Sequence, residues 1–182
     1  MPVALHTFDN KWFKPGFWPK RLVWYICNVC FFRSGLFPFY RLKTFLLRLF
    51  GAKIGKAVLI KPCVNIKYPW FLEIGDNSWI GENAWIDNLT KVTVGANVCI
   101  SQSAYLLTGN HNYNKSGFDL IVKGIILEDG VWIGARSVIC PGVTCKSHAI
   151  LSAGAVATKD LDAYSIYQGN PAVKIRDRII KE

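Results

Sequence analysis

From Ile54 to Leu151 an aliphatic residue returns at nearly every sixth position: Ile54, Ile60, Ile66, Ile74, Ile80, Ile86, Val94, Ile100 and Leu106, then, after a gap, Leu127, Ile133, Ile139, Cys145 and Leu151. Of these 14 positions 13 are Ile, Leu or Val, types that fill only 48 of 182 residues, so chance placement would give about three or four. Four residues after each beat the side chain is small or β-branched at 12 of 14 sites, with Trp70 and Asn110 as exceptions. A two-position rule at period six fits neither the 3.6 period of a helix nor the 2.0 period of a plain strand. It fits a coiled β-solenoid, in which each short strand supplies one inward residue and then turns. Three strands of six make a triangular coil of about 18 residues. Gly75-Asp76-Asn77, Gly81-Glu82-Asn83 and Gly95-Ala96-Asn97 suit its corners, where left-handed φ values are needed.

The chain divides by charge as well as by period. Residues 1–53 carry nine Lys/Arg against the single acid Asp9, whereas residues 54–182 carry 13 against 11, so most of the formal +10 belongs to the N-terminal arm. Pro19 can open a helix through about Phe32, and Ser34-Gly35 with Pro38 ends it. A second helix is expected over about Tyr40 to Phe50, with Leu42, Phe45, Leu46 and Leu49 on its apolar face and Gly51 as its stop. This arm can cap the open edge of the first coil, and its interleaved aromatic and basic residues also suit a membrane surface. The longest apolar stretch, Leu22 to Phe32, is 11 residues; a spanning helix needs about 20, and no signal-peptide pattern opens the chain. The six cysteines sit in apolar runs, which suggests buried, reduced thiols in a cytoplasmic protein. Cys27-x-x-Cys30 has no second pair or flanking His and reads as two thiols on one helix face rather than a zinc or redox site.

The solenoid is expected over 54–165, with an extruded loop at about 107–124 where the beat fails, and a C-terminal segment over 166–182 ending in a basic helix at about Ala172 to Lys181. The loop is rich in Asn and Gly and holds His111, within Thr108-Gly109-Asn110-His111. Of the other histidines, His6 lies in the arm and His148 at a corner, where exposure is expected. An insertion thrown from a rigid scaffold is a frequent place for function, so His111 is the candidate catalytic residue.

These features together resemble the hexapeptide-repeat acyltransferases. The resemblance rests on the repeats, the His-bearing loop, Trp132-Ile-Gly-Ala135, Pro141-Gly-Val143, Ala153-Gly154, Thr158-Lys159-Asp160 and Gly169-Asn-Pro171-Ala. Within that superfamily the chain is similar to the maltose/galactoside O-acetyltransferase type. Leu49-Phe-Gly-Ala-Lys-Ile-Gly55, Pro69-Trp70 and the basic aromatic arm bring it closer to the colanic-acid-type exopolysaccharide acetyltransferases. The resemblance implies a mainly β fold, a left-handed parallel β-helix with an N-terminal helical arm. It implies acetyl-CoA as cosubstrate, no metal, and a homotrimer with active sites between subunits. The acceptor would be a sugar or lipid-linked glycan. His111 would act as general base, since neutral imidazole suits proton abstraction near neutral pH, and the backbone N–H of Ala135 would hold the oxyanion. Asp87, Asn88 and Asn110 would meet the acceptor. Trp132, Ala135, Ala153, Thr158, Lys159 and Arg176 would meet acetyl-CoA, with Lys174 and Arg178 adding positive charge. Asp87 and Asp119 are both candidates to orient His111.

Two classes fall away. A γ-class carbonic anhydrase shares the fold but needs three histidines on zinc, and only His111 and His148 lie in the solenoid. A nucleic-acid partner is not expected: the glycines occupy corners and the basic arm is too apolar for a phosphate-binding stripe. An acetyltransferase for a small soluble acceptor (antibiotic, free sugar or amino acid) stays as the alternative, although such an acceptor gives no reason for that arm; a non-enzymatic scaffold ranks behind it, giving none for His111 together with Thr158-Lys159.

Overall fold

A computed structural model describes residues 2–181. The six-residue beat becomes a parallel β-helix of five complete coils and part of a sixth, with three sheets of short strands running along its sides. Each beat stacks on its equivalent one coil away. Ile54 pairs with Ile74, then Val94, Leu127 and Cys145. On the second side Ile60, Ile80, Ile100, Ile133 and Leu151 form the ladder, and on the third Ile66, Ile86, Leu106, Ile139 and Ala157. All are buried except Ile54, which is half-buried. The residues four positions on, such as Val58, Ala84 and Ala104, fill the remaining interior and are small because three ladders meet there.

The corner chemistry differs from the expectation for the glycines. The left-handed corner positions are mostly occupied by Ala57, Cys63, Asn77, Asn83, Asn97, Ser103, Arg136 and His148, with φ between 53° and 61°. Gly75 and Gly81, each following a beat, are needed for close approach instead. A Cβ on Gly75 would lie 2.6 Å from Ala96 N, and one on Gly81 would lie 2.7 Å from Gln102 N.

The arm covers the first coil with side chains rather than another strand. Helix α1 spans Trp18–Cys27 and continues as a π-helical stretch, Asn28–Phe32. The Trp24 indole N–H donates to Ile66 O at 2.9 Å, and the Asn28 amide donates to Asn65 Oδ1 at 2.7 Å. With Asn28 Oδ1 accepting from the Ile66 N–H at 3.4 Å, the arm satisfies both backbone groups of Ile66 on the open sheet edge. Helix α2 spans Tyr40–Leu49, and Gly51 ends it at φ +100°. Its buried face is Lys43, Thr44 and Leu47, whereas Phe45 and Leu49 are exposed. The expected face shifts because Lys43 Nζ donates to the edge carbonyl of Lys61 at 2.9 Å, and the aliphatic stem is buried with it. Burial holds the Lys43 ammonium below its ordinary pKa.

The C-terminal helix is not formed. Val173–Asp177 is a strand, antiparallel to Ser165–Gln168, and covers the far end of the second sheet. Val173 and Ile175 alternate with Lys174 and Arg176, a period of two, and the open edge of the last coil supplies partners that a helix would forgo. Cys27 and Cys145 are buried as expected, but Cys30 is exposed and the two thiols of the pair face different environments. No helix among the described residues is long and apolar enough to cross a membrane.

Candidate functional site

The interruption in the beat is an ordered hairpin rather than an irregular loop. Gly109–His111 pairs antiparallel with Leu120–Val122, placing His111 opposite Leu120. Its root is fixed by Thr108, whose buried hydroxyl donates to Asp87 O at 3.0 Å and accepts from Leu89 N at 2.8 Å.

His111 is oriented by a backbone carbonyl. Its Nδ1 lies 2.8 Å from Phe118 O. A carbonyl can only accept, so in the neutral imidazole this bond assigns the proton to Nδ1 and leaves the lone pair on Nε2. The ring stacks on Phe118 at 4.3 Å and 9°, and Phe8 of the arm closes on it at 5.6 Å. Phe118 has φ 52°, a conformation that turns its carbonyl back towards the imidazole. Neither expected carboxylate orients His111 in this way: Asp119 pairs with Lys115 at 3.0 Å, and Asp87 pairs with Lys67 at 2.9 Å. Phe8 and Phe118 were not identifiable from sequence. The arm reaches the hairpin through Ala4 N–H to Ser116 O at 2.9 Å, a long-range contact with no local pattern.

Asp87 nonetheless stands beside the hairpin root. It is opposite Leu107 in the strand that leads into the hairpin. Its Oδ1 is buried, and the Lys67 ammonium is near it but not aligned as a hydrogen bond, so an acceptor position stays open. Its Oδ2 receives the Tyr105 hydroxyl at 3.4 Å. Burial, reinforced by the Asp87 charge, raises the Tyr105 pKa, which keeps that hydroxyl a donor. Asn110 is exposed and its side-chain oxygen accepts from the His111 N–H at 2.8 Å.

Asn88 is a correction. It is fully buried, its amide accepting from Tyr68 N–H at 3.0 Å and donating to Tyr68 O at 2.6 Å. Both ends are spent clamping adjacent coils, so it presents nothing to an acceptor.

A second cluster lies on another edge. Trp132 projects outward, with its indole N–H on Ser101 Oγ at 2.9 Å. Ala135 follows at the corner, and Ala153 is one coil on, so close that a Cβ on Gly134 would lie 2.5 Å from Ala153 N. Among the described residues no acceptor is bonded to the Ala135 N–H. Thr158 and Lys159 are exposed at the next corner along, and Arg176 is exposed on the terminal strand opposite Ile166. Lys159 and Arg176 have no ion-pair partner among the described residues, whereas Lys174 pairs with Asp177 at 2.8 Å. Arg178 is structural: its guanidinium donates to Gly130 O and His148 O at 2.9 and 3.0 Å. His148 is half-buried and stacked on Tyr164 at 4.7 Å, not exposed as its corner position suggested. His111 and Ala135 occupy opposite ends of one sheet: the hairpin leaves after Tyr105–Leu107, and Ala135 precedes Val138–Ile139, which pairs with that strand.

No protein-family model matches the chain. It is 38% identical over 172 residues, 94% of each chain, to the Escherichia coli K12 protein named as the colanic acid biosynthesis acetyltransferase WcaF. The galactoside O-acetyltransferase of the same organism is 32% identical over 136 residues, 72% of this chain and 66% of that protein. A galactoside acetyltransferase solved with coenzyme A superposes with a TM-score of 0.76 at 27% identity, over 87% of this chain and 80% of that one. A hexapeptide-repeat acetyltransferase of Vibrio cholerae, solved with acetyl-coenzyme A, gives 0.73 at 26% identity, over 77% and 78%. With that identity and coverage, the chain belongs to the hexapeptide-repeat acetyltransferases.

Proposed function

We propose that this protein transfers an acetyl group from acetyl-CoA to a sugar hydroxyl of a surface polysaccharide or glycolipid precursor, with His111 as general base. The observation that carries the reading is the Nδ1–H to Phe118 O bond, which leaves Nε2 as the base on a hairpin held by Phe8 and Phe118. Nε2 takes the proton of the acceptor hydroxyl as its oxygen attacks the thioester carbonyl. The tetrahedral oxyanion is held by the Ala135 N–H, and collapse breaks the C–S bond. The thiolate leaves with the proton returned by the imidazolium, so His111 ends neutral. Small Ala135 and Ala153 leave room for the pantetheine chain along the coils, beside Trp132. Thr158, Lys159 and Arg176 supply donors and charge for the nucleotide phosphates.

Base and oxyanion donor stand at opposite ends of one sheet, so a single solenoid does not close the site on itself. This supports a homotrimer in which the hairpin of one subunit meets the Ala135 corner of the next. The outward face of α1 and its π-helical continuation, with Trp18, Leu22, Tyr25, Ile26 and Val29 exposed on an arm rich in Lys and Arg, supports peripheral contact with an anionic membrane surface. The test is His111→Ala in protein of trimeric mass by light scattering, assayed by thiol release from acetyl-CoA. A fall of about 10²- to 10⁴-fold is expected for loss of a general base; turnover retained in the folded variant would remove His111 from the mechanism.

A further inference from the structure

A cavity of about 500 Å³ opens between α1 and the outer face of the first two coils, within the ordinary size range of small-molecule sites. Its wall has a consistent sign. Arg21, Arg33 and Lys67 line it and no carboxylate does. The Arg21 guanidinium lies 5.9 Å from the Tyr68 ring centroid, and neither Arg21 nor Arg33 has an ion-pair partner among the described residues. Lys67 is already paired with Asp87, so the exposed guanidinium groups of Arg21 and Arg33 are the cations left to meet an entering anion. Guanidinium groups also match phosphate oxygens in pairs. The remaining wall is aromatic. Trp85 is stacked on Tyr105 at 4.8 Å and 18° and stays exposed, so it offers apolar surface to a sugar ring.

The cavity also points towards the chemistry. Lys67, on its floor, holds Asp87, and Asp87 lies at the root of the His111 hairpin, one coil or about 4.8 Å from the strand that launches it.

We propose that this cavity holds a phosphate or diphosphate group on the acceptor saccharide, so that the enzyme acylates a phosphate-linked sugar rather than a free one. The inference rests on the acetyltransferase reading above and names the acceptor class. Two sources share that chemistry, a lipid diphosphate and a nucleoside diphosphate. The exposed Trp18, Leu22 and Tyr25 at the cavity rim would suit an isoprenoid chain.

The test is calorimetric binding to the full-length protein, without catalysis, using inorganic diphosphate, geranyl diphosphate, UDP-galactose and galactose as probes. Coenzyme A is kept saturating so that its own phosphate site is filled. The diphosphate probes should bind and galactose alone should bind far more weakly. Arg21→Gln and Arg33→Gln should each weaken diphosphate binding about tenfold or more and leave the coenzyme A thermal shift in place. Tighter binding of geranyl diphosphate than of inorganic diphosphate identifies a lipid source, and tighter binding of UDP-galactose a nucleotide source; both support the site. No diphosphate binding, or binding indifferent to both arginine variants while their coenzyme A shift shows them folded, overturns it. Because the readout is binding, diphosphate capture without acetyl transfer would reject the acetyltransferase reading alone. Turnover on free sugars without diphosphate capture would reject this inference alone.

Discussion

Replacing Gly134 by Ala tests why a glycine follows the beat. An ideal Cβ there would lie 2.5 Å from Ala153 N and 2.7 Å from both Leu151 O and Ser152 C. These are backbone atoms of the next coil, so no rotamer change relieves the contact. Ordinary contact begins at 3.4 Å, and the shortfall of about 0.9 Å has to come from parting the coils. The nearest bonds between them, Trp132 N–H to Ala149 O at 2.9 Å and Gly134 N–H to Leu151 O at 2.7 Å, would stretch beyond about 3.5 Å, past useful hydrogen bonding. Two such bonds, each worth about 0.5–1.5 kcal/mol net, plus the overpacking strain give an expected cost of about 3–5 kcal/mol. Gly154→Ala is the control: a Cβ there meets nothing within 4 Å, but its φ of +70° is left-handed, a penalty of about 1–2 kcal/mol. Urea unfolding of both variants, compared at unchanged m-value, separates crowding from backbone strain. If Gly134→Ala costs no more than Gly154→Ala, close coil approach is not what the glycine serves. The same displacement moves the Ala135 N–H, so kcat should fall in Gly134→Ala even where the protein is fully folded.

Two further outcomes follow from charge. Lys159→Ala and Arg176→Ala should each raise KM for acetyl-CoA several-fold with kcat nearly unchanged, since the phosphates they would meet are remote from the reacting carbonyl; steady-state kinetics decides, and a kcat effect without a KM effect would argue against nucleotide contact. Glu73 sits between Lys53 at 2.8 Å and Lys91 at 3.0 Å, and the hydrogen bonds from those two ammonium groups hold its carboxyl below its ordinary value of 4.5. The pair therefore stabilises the fold above pH 4.5 and is lost as pH falls through the lowered folded value. Glu73→Gln should cost a few tenths of a kcal/mol at neutral pH, an exposed-pair magnitude. Denaturation midpoints of the two proteins should converge in acid; a gap that persists there would assign the effect to packing.

The solenoid was legible because its information is repeated. Each coil poses the same steric problem three times, so Ile60, Ile80 and Ile100 state one rule, and the chain states it at more than a dozen positions. Elements that occur once were less secure. For α2 the apolar pattern pointed to Leu42, Phe45, Leu46 and Leu49, yet the unpaired carbonyl of Lys61 drew Lys43 inward and turned the helix. For the C-terminus the expectation is a helix over about Ala172 to Lys181, yet Val173–Asp177 pairs as a strand with the open end of the solenoid, which local sequence does not display. Tertiary demand for hydrogen-bond partners overrode local preference in both places.

The same distinction governs the site. His111 stood out because the beat stops around it, a negative signal that needs no knowledge of three-dimensional contacts. What orients it was hidden, because a backbone carbonyl has no residue identity: Phe118 O could have belonged to any residue able to adopt φ 52°. A search for an orienting Asp or Glu looks for the wrong kind of group. The carbonyl does the tautomer-fixing part of a carboxylate's work, with Nδ1 kept protonated at 2.8 Å, but it adds no full negative charge beside the imidazolium. In the proposed mechanism it would therefore stabilise the protonated intermediate less than a carboxylate would, and leave the proton easier to return to the departing thiolate. A base that must take a proton and give it back in one turnover gains from being held in place without being strongly stabilised in its charged form.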